Sequence, residues 1–213
     1  SLGKPMRVAV AAANSENIRR GVFAAEDDGF VKPILVGNED KIRAVVNAIG
    51  EGGRELDIHG VFGGDNPVQY AIEMINSGDA DTLMRGNCQT RDYLLPVLNK
   101  ANHLIEDDAL VTHVVFLKVP GYEKVLAISD VTLLINPDLA ERKQVLLNMV
   151  DAMKILDIEH PNIALLTMVE KPCFHMRDTV EAQTLVAKHK KYPIADCNIA
   201  GPISYDLIMS KEA

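Results

Sequence analysis

The chain has 213 residues, 47% of them hydrophobic but only 5% aromatic and none Trp, with a formal net charge of −8. That length and apolar content suffice for one large α/β domain or two small ones, with a core mostly of Ala, Val, Leu and Ile, as suits parallel sheets covered by helices. The acidity excludes nucleic acid as the main partner, because no basic field draws a phosphate backbone, whereas a single phosphate or a CoA molecule needs only a local positive pocket.

Met6–Ala13 reads as a first buried strand, too short for a signal peptide. Asn14-Ser15 offers a cap for a helix to about Asp28, with Gly29 as its stop. Pro33–Gly37 is a second strand, and Asn38 caps a helix from Glu39 to about Ile49. Glu55–Phe62 is a weaker strand, and Asn66-Pro67 opens a helix that Gly78 ends. Asp81–Met84 and Thr90–Asn99 are the next strand and helix. Leu110–Val119 and Lys124–Ser129, joined by Pro120-Gly121-Tyr122-Glu123, read as an antiparallel hairpin. A helix over Leu139–Leu156, a strand over Asn162–Met168, a helix over Thr179–Lys190, a strand over Ile194–Ile199 and a last helix from about Ser204 complete the pattern.

This alternation predicts an α/β fold of mostly parallel sheets with flanking helices, three layers deep. The hairpin breaks the rhythm, so the expected domains are 1–102 and 103–213. Cys88, Cys173 and Cys197 are widely spaced and form no Cys-x-x-Cys, which fits a reduced, cytoplasmic protein without disulfides. No apolar stretch is long enough to cross a membrane, so no membrane partner is expected. The chain has no G-x-G-x-x-G after a strand, no P-loop, no G-x-S-x-G and no His-x-x-x-His. Cys173 and His175 lack further ligands nearby, so no metal is expected.

These absences turn attention to anion binding by backbone and polar groups at the carboxyl edge of the sheet. Four loops should open there: Ala12–Ser15, Gly86–Thr90, Ser129-Asp130 with Asn136-Pro137, and Ala200-Gly201-Pro202. Gly86 lets a ligand approach the backbone, and the free N–H groups of the helix beyond Asn87 and Thr90 favour negative charge. The plainer alternative is a strand-to-helix turn with Gly at positive φ and Thr90 as a cap. Asp130 either caps the next turn or orients a ligand and accepts a proton. Asn136 belongs first to a helix start. His113, among Val and Phe, is either a hydrogen-bonded structural histidine or a ligand contact. Arg85, Arg91 and Lys171 could pair with phosphate or simply face solvent. Gly201-Pro202 is expected to be a tight turn.

Met84-Arg85-Gly86-Asn87-Cys88-Gln89-Thr90-Arg91-Asp92 resembles the KGN-x-x-T-x-D turn of phosphate butyryltransferases, within the phosphate acetyl/butyryltransferase family. Thr112-His113-Val114 resembles that family's Ser-His-Val, and Pro120-Gly121-Tyr122 its hairpin link. Ile128-Ser129-Asp130-Val131 with Ile135-Asn136-Pro137-Asp138-Leu139 resembles its TDAAMNIAPDL segment. Ala164–Lys171 resembles AVLAAVEKV, and Ile199–Asp206 resembles VDGPLALD. The matches run in the same order along the whole chain.

The resemblance implies two α/β domains, as in the isocitrate/isopropylmalate dehydrogenase-like fold, with the site in a cleft between them. It implies transfer of a short acyl group, butyryl or similar, between CoA and inorganic phosphate, with no cofactor beyond these substrates. Arg85, Gly86, Asn87, Thr90, His113, Asp130, Asn136, Lys171, Gly201 and Pro202 would bind the substrates. Relatives associate through helices, so a homo-oligomer, a dimer or larger, is expected. Ala200 replaces the family's usual Asp, Cys173-Phe174-His175 replaces Asn-Pro-Lys, and Leu95 stands where acetyl-type members often carry an Arg. The family's closing segment, with its Ser-Arg pair and Asp, is expected beyond Ala213. Catalytic residues are therefore unassigned within 1–213, and the second domain is expected to be incomplete. The alternatives are a non-catalytic acyl-CoA- or phosphate-binding homologue and an oxidoreductase on the dehydrogenase-like fold. The latter needs a carboxylate metal cluster and a nucleotide site that the sequence does not show.

Overall fold

The computed structural model describes residues 3–209, with backbone only for 17–19. Strands β1 (Met6–Ala11), β2 (Val31–Gly37), β3 (Ile58–Gly60) and β4 (Thr82–Arg85) form one parallel sheet in the order β3-β2-β1-β4. Every residue of β1 from Val8 to Ala11 is buried, because both sheet faces are covered. Val8, Val10 and Leu35 meet Val22 and Phe23 of α1 (Glu16–Asp27) and Ile42 and Val46 of α2 (Glu39–Ala48). Ala9, Ala11, Ile34 and Val36 point the other way. They meet Val68, Ala71, Ile72 and Met74 of α3 (Pro67–Ser77), with Tyr93 and Val97 of α4 (Thr90–Leu98). The small alanines let α3 approach closely, and the result is a three-layer α/β/α unit.

The helix starts follow from their capping chemistry. Asn38 accepts the Lys41 N–H, and Asn66 accepts the Val68 N–H just before Pro67. Gly78, at φ 81°, supplies the left-handed stop.

Residues 1–109 and 110–213 form two compact units. The division falls after the expected residue 102, because Asn102 is held in the first unit: its amide pairs with Gln69 and donates to the Pro96 carbonyl.

In the second unit, β5 (Val115–Lys118) and β6 (Val125–Ile128) make the expected antiparallel hairpin. Helix α5 (Leu139–Ile155) opens on a capping box between Asp138 and Glu141. β7 (Asn162–Leu166) and β8 (Asn198–Ile203) pair in parallel around α6 (Arg177–Lys191), and α7 (Tyr205–Met209) follows. Ile163, Leu165 and Ile199 turn toward Leu146, Val150 and Cys197. On the other face of β7, Asn162, Ala164 and Leu166 are exposed.

Two expectations are corrected. The strand expected at Ile194–Ile199 begins at Asn198 and runs through Gly201-Pro202 to Ile203. Residues before it form a loop held by His189, whose ring accepts the Ile194 N–H and contacts the Cys197 carbonyl. Leu110–Val114 is not strand, because side chains take its backbone groups: Asn148 donates to the Leu110 carbonyl, and Asp130 accepts the His113 N–H. Of the last expected helix, residues 210–213 lie outside the described residues.

Candidate active site

In the first unit, β1 lies between β2 and β4, and its following helix leads to β2. The crevice at the carboxyl ends of β1 and β4 is therefore the topological switch point of the sheet, the usual ligand seat of such folds. The loops Ala12–Ser15 and Gly86–Gln89 meet there. The Gly86 N–H donates to the Ala11 carbonyl at 2.8 Å, and the Asn87 N–H to the Ala12 carbonyl at 2.8 Å. A Cβ on Gly86 would lie 2.3 Å from both carbonyl oxygens. Gly86 is thus required by backbone crossing a backbone. It has no positive φ, and it is buried, which corrects both the positive-φ reading and direct approach of a ligand to this residue.

Thr90 is the first residue of α4, so the cap expected of it falls to Gln89, whose side chain makes no capping bond. The leading N–H groups of α4 thus receive no side-chain cap, which leaves the positive end of the helix for another acceptor. Asn87, Thr90 and Arg91 are exposed around that end. Arg85 folds over its own turn, donating to the Cys88 carbonyl through Nη2 at 2.7 Å and Nε at 3.3 Å. It closes the loop while keeping its charge beside it.

In the second unit, the half-buried Asp130 is the organising group. Its Oδ2 accepts the His113 N–H at 2.7 Å, and its Oδ1 accepts the N–H groups of Thr132, Leu133 and Leu134 at 2.9, 2.7 and 3.2 Å. Burial pushes the carboxyl up, but the four backbone N–H groups outweigh it and hold Asp130 below the usual carboxylate range. A carboxylate so engaged is a clamp between two segments and a poor proton acceptor. His113 is exposed, with Nδ1 2.8 Å from Thr132 Oγ1. Thr132 was not singled out in the sequence. Its signal is the Asp-x-Thr spacing of an Asx-type turn.

The other expected residues are more scattered. Asn136, at φ 50°, is an exposed turn residue before the helix start. Lys171 is exposed in the loop after β7. Gly201 and Pro202 are not a turn at the carboxyl edge, as expected, but part of β8. A Cβ on Gly201, at φ 148°, would lie 2.7 Å from Leu165 Cβ, where the pairing with β7 slips register. An open groove of about 610 Å³ is lined by Asn66, Gln69, Asp92, Leu95 and Pro96 among others. Among the described residues, no group of three His, Cys, Asp or Glu side chains is placed to hold a metal ion.

Residues 57–213 match the family model described as phosphate acetyl/butaryl transferase. The chain belongs to this family. It is 29% identical over 207 residues to a phosphate butyryltransferase of Clostridium acetobutylicum, covering 97% of this chain and 68% of the relative. It is 26% identical over 215 residues to a phosphate acetyltransferase of Thermotoga maritima, covering 99% and 71%. Its fold is that of a branched-chain phosphotransacylase from Enterococcus faecalis, with a TM-score of 0.78 at 20% identity, covering 97% of this chain and 71% of that one. Arg85, Gly86, Asn87, Thr90, His113, Asp130, Asn136, Lys171, Gly201 and Pro202 fall inside the segment that matches the acetyl/butaryl transferase model, and the loop Ala12–Ser15 precedes it. Among the described residues, no helix is long and apolar enough to cross a membrane.

Proposed function

We propose that this chain transfers a short acyl group between CoA and inorganic phosphate, with the switch-point loops of the first unit as its anion-binding element. The family match over residues 57–213 carries this reading. The site chemistry is consistent with it. Uncapped N–H groups of α4 with Arg85, Asn87 and Thr90 suit an anion. The reaction needs two substrates held in line, donors for a developing oxyanion, and a proton or positive charge for the departing sulfur. Lys171 and Asn136 are proposed as further contacts, and a butyryl-sized acyl group is preferred. The reaction as proposed needs no metal or redox group. We place the protein in the cytoplasm as a homo-oligomer, a dimer or larger, which light scattering reads directly.

The test is thiol release from butyryl-CoA with and without inorganic phosphate, beside Asn87→Ala. Phosphate-dependent release, reduced at least tenfold in the variant with its circular dichroism unchanged, supports the reading. CoA binding without release favours a binding module, and neither binding nor release overturns the site.

A further inference from the structure

The chain's six histidines differ in what holds their rings. His189 bonds only backbone, accepting the Ile194 N–H and contacting the Cys197 carbonyl. His160 meets one carboxylate, Asp196, and no hydroxyl. His113 meets one hydroxyl, Thr132, and no carboxylate at its ring. The rings of His103 and His175 make no hydrogen bond among the described residues. His59 has a carboxylate on one nitrogen and a hydroxyl on the other: Nε2 is 3.2 Å from Asp57 Oδ1, and Nδ1 is 3.2 Å from the Tyr70 hydroxyl.

Strand and helix periodicity bring these three together. Ile58 of β3 packs on the α1–α2 side of the sheet, so Asp57 and His59, one residue to either side of it, face the opposite layer. α3 covers that layer and brings Tyr70 to His59, with ring centroids 5.8 Å apart. An ionised carboxylate only accepts, so the bond to Asp57 puts the ring proton on Nε2 and leaves the Nδ1 lone pair to take the Tyr70 O–H. A nucleophile, a base within its reach and a third group orienting the base are the signature of covalent catalysis. Tyr70 is 38% exposed, so a small ligand reaches the phenol. The loop from β3 to α3 runs over Gly63 and Gly64, whose N–H groups have no acceptor among the described residues and are spare donors for a developing oxyanion. β3 is the edge strand of the order β3-β2-β1-β4, two strands from β1, so the group stands apart from the switch point.

We propose that Tyr70 is a covalent acceptor for activated short acyl groups, with His59 as its base and Asp57 as the group that orients the ring. The Tyr70 oxygen bonds to the acyl carbon, and the phenolic proton passes to His59 Nδ1. The bond from that carbon to the leaving atom breaks, and the leaving atom departs with the electron pair and takes the proton from Nδ1. The products are the Tyr70 ester and the freed thiol, phosphate or alcohol. Asp57 stays ionised and faces the imidazolium that forms between the two halves. Acyl thioesters and acyl phosphates are both donors of this class. The step is a self-modification at the sheet edge. It is no intermediate of the transfer proposed above and does not rest on it.

The test treats the full chain with p-nitrophenyl butyrate and, separately, with butyryl-CoA and with butyryl phosphate, and locates the butyryl group by peptide mass spectrometry. With the first probe, p-nitrophenol should appear as a burst of one equivalent, and the butyryl group should lie on Tyr70. His59→Gln should slow this labelling about 100-fold and Asp57→Asn about tenfold, each with an unchanged circular dichroism spectrum. Whichever of the thioester and the acyl phosphate labels Tyr70 identifies the donor class. Tyr70→Phe should take no label at that position and keep phosphate-dependent thiol release within about twofold of the wild type. No label on Tyr70 from either of those two donors, label confined to lysines, or a labelling rate unmoved by His59→Gln overturns the proposal, as does loss of thiol release in Tyr70→Phe. A wild-type chain without phosphate-dependent thiol release overturns the transfer reading alone, because the labelling of Tyr70 is read without phosphate.

Discussion

β1 and β7 are both short parallel strands that feed a helix, yet they are housed differently. β1 is buried from Val8 onward, with helices on both faces. β7 alternates, with Ile163 and Leu165 packed inward and Leu166 55% exposed. The two sequences already differ in this sense: Val-Ala-Val-Ala carries nothing polar, whereas β7 opens on Asn. An apolar pattern thus reports how many faces of a strand are covered, which is a stronger statement than whether it is a strand. The candidate chemistry divides in the same way. At the end of β1 the backbone itself makes the seat, and beyond β6 one carboxylate arranges loop segments that have no ladder of their own.

Substitutions can break this comparison. The largest effect is expected for Ile72→Ala, at the fully buried heart of the closed unit: a loss of about 4 kcal/mol in urea unfolding. Gly86→Ala should cost about 3 kcal/mol, since neither carbonyl can give way to a Cβ; a loss under about 1 kcal/mol would show that the two loops are not locked. Asp130→Asn should cost about 2 kcal/mol, because an amide nitrogen must face a backbone N–H. The same clamp has a pH signature. Its carboxyl sits below the ordinary value in the fold, so its contribution is complete above about pH 4 and is lost as the pH falls through the lower folded value. Acid titration followed by amide NMR should show Thr132–Leu134 losing protection in the wild type, with that step missing in Asp130→Asn. The smallest effect is expected for Leu166→Thr, within about 0.5 kcal/mol. A loss above 2 kcal/mol there would show that the exposed face of β7 is covered in solution.

The helices announced themselves through their ends. Asn38, Asn66-Pro67 and Asp138 with Glu141 are local signals, and each cap forms where the residues place it. The sheet of the first unit was legible for a related reason, since continuous apolar runs admit few other homes. What was not legible depends on side chains reaching backbone over distance. Asn148 and Asp130 satisfy Leu110 and His113, so an apolar run that reads as strand never joins a ladder. His189 does the same for the stretch before β8. Gly201-Pro202 reads as a stop, yet a proline is tolerated at a slipped register and a glycine where a neighbouring strand comes close. In the candidate site, Gly86, Asn87 and Thr90 were found together. The role of Gly86 was not, because periodicity cannot show that another loop lies across it.

The crossing at Gly86 also bears on how this protein can diversify. The spacing between the two loops is set by main-chain atoms alone, two N–H groups on two carbonyls. No side chain at positions 87 to 91 takes part in those bonds. Those positions are therefore free to vary in size and charge without altering the aperture on which they stand. Selection for a longer or branched acyl group, or for a different anion, can act on the furnishings while the frame stays the same.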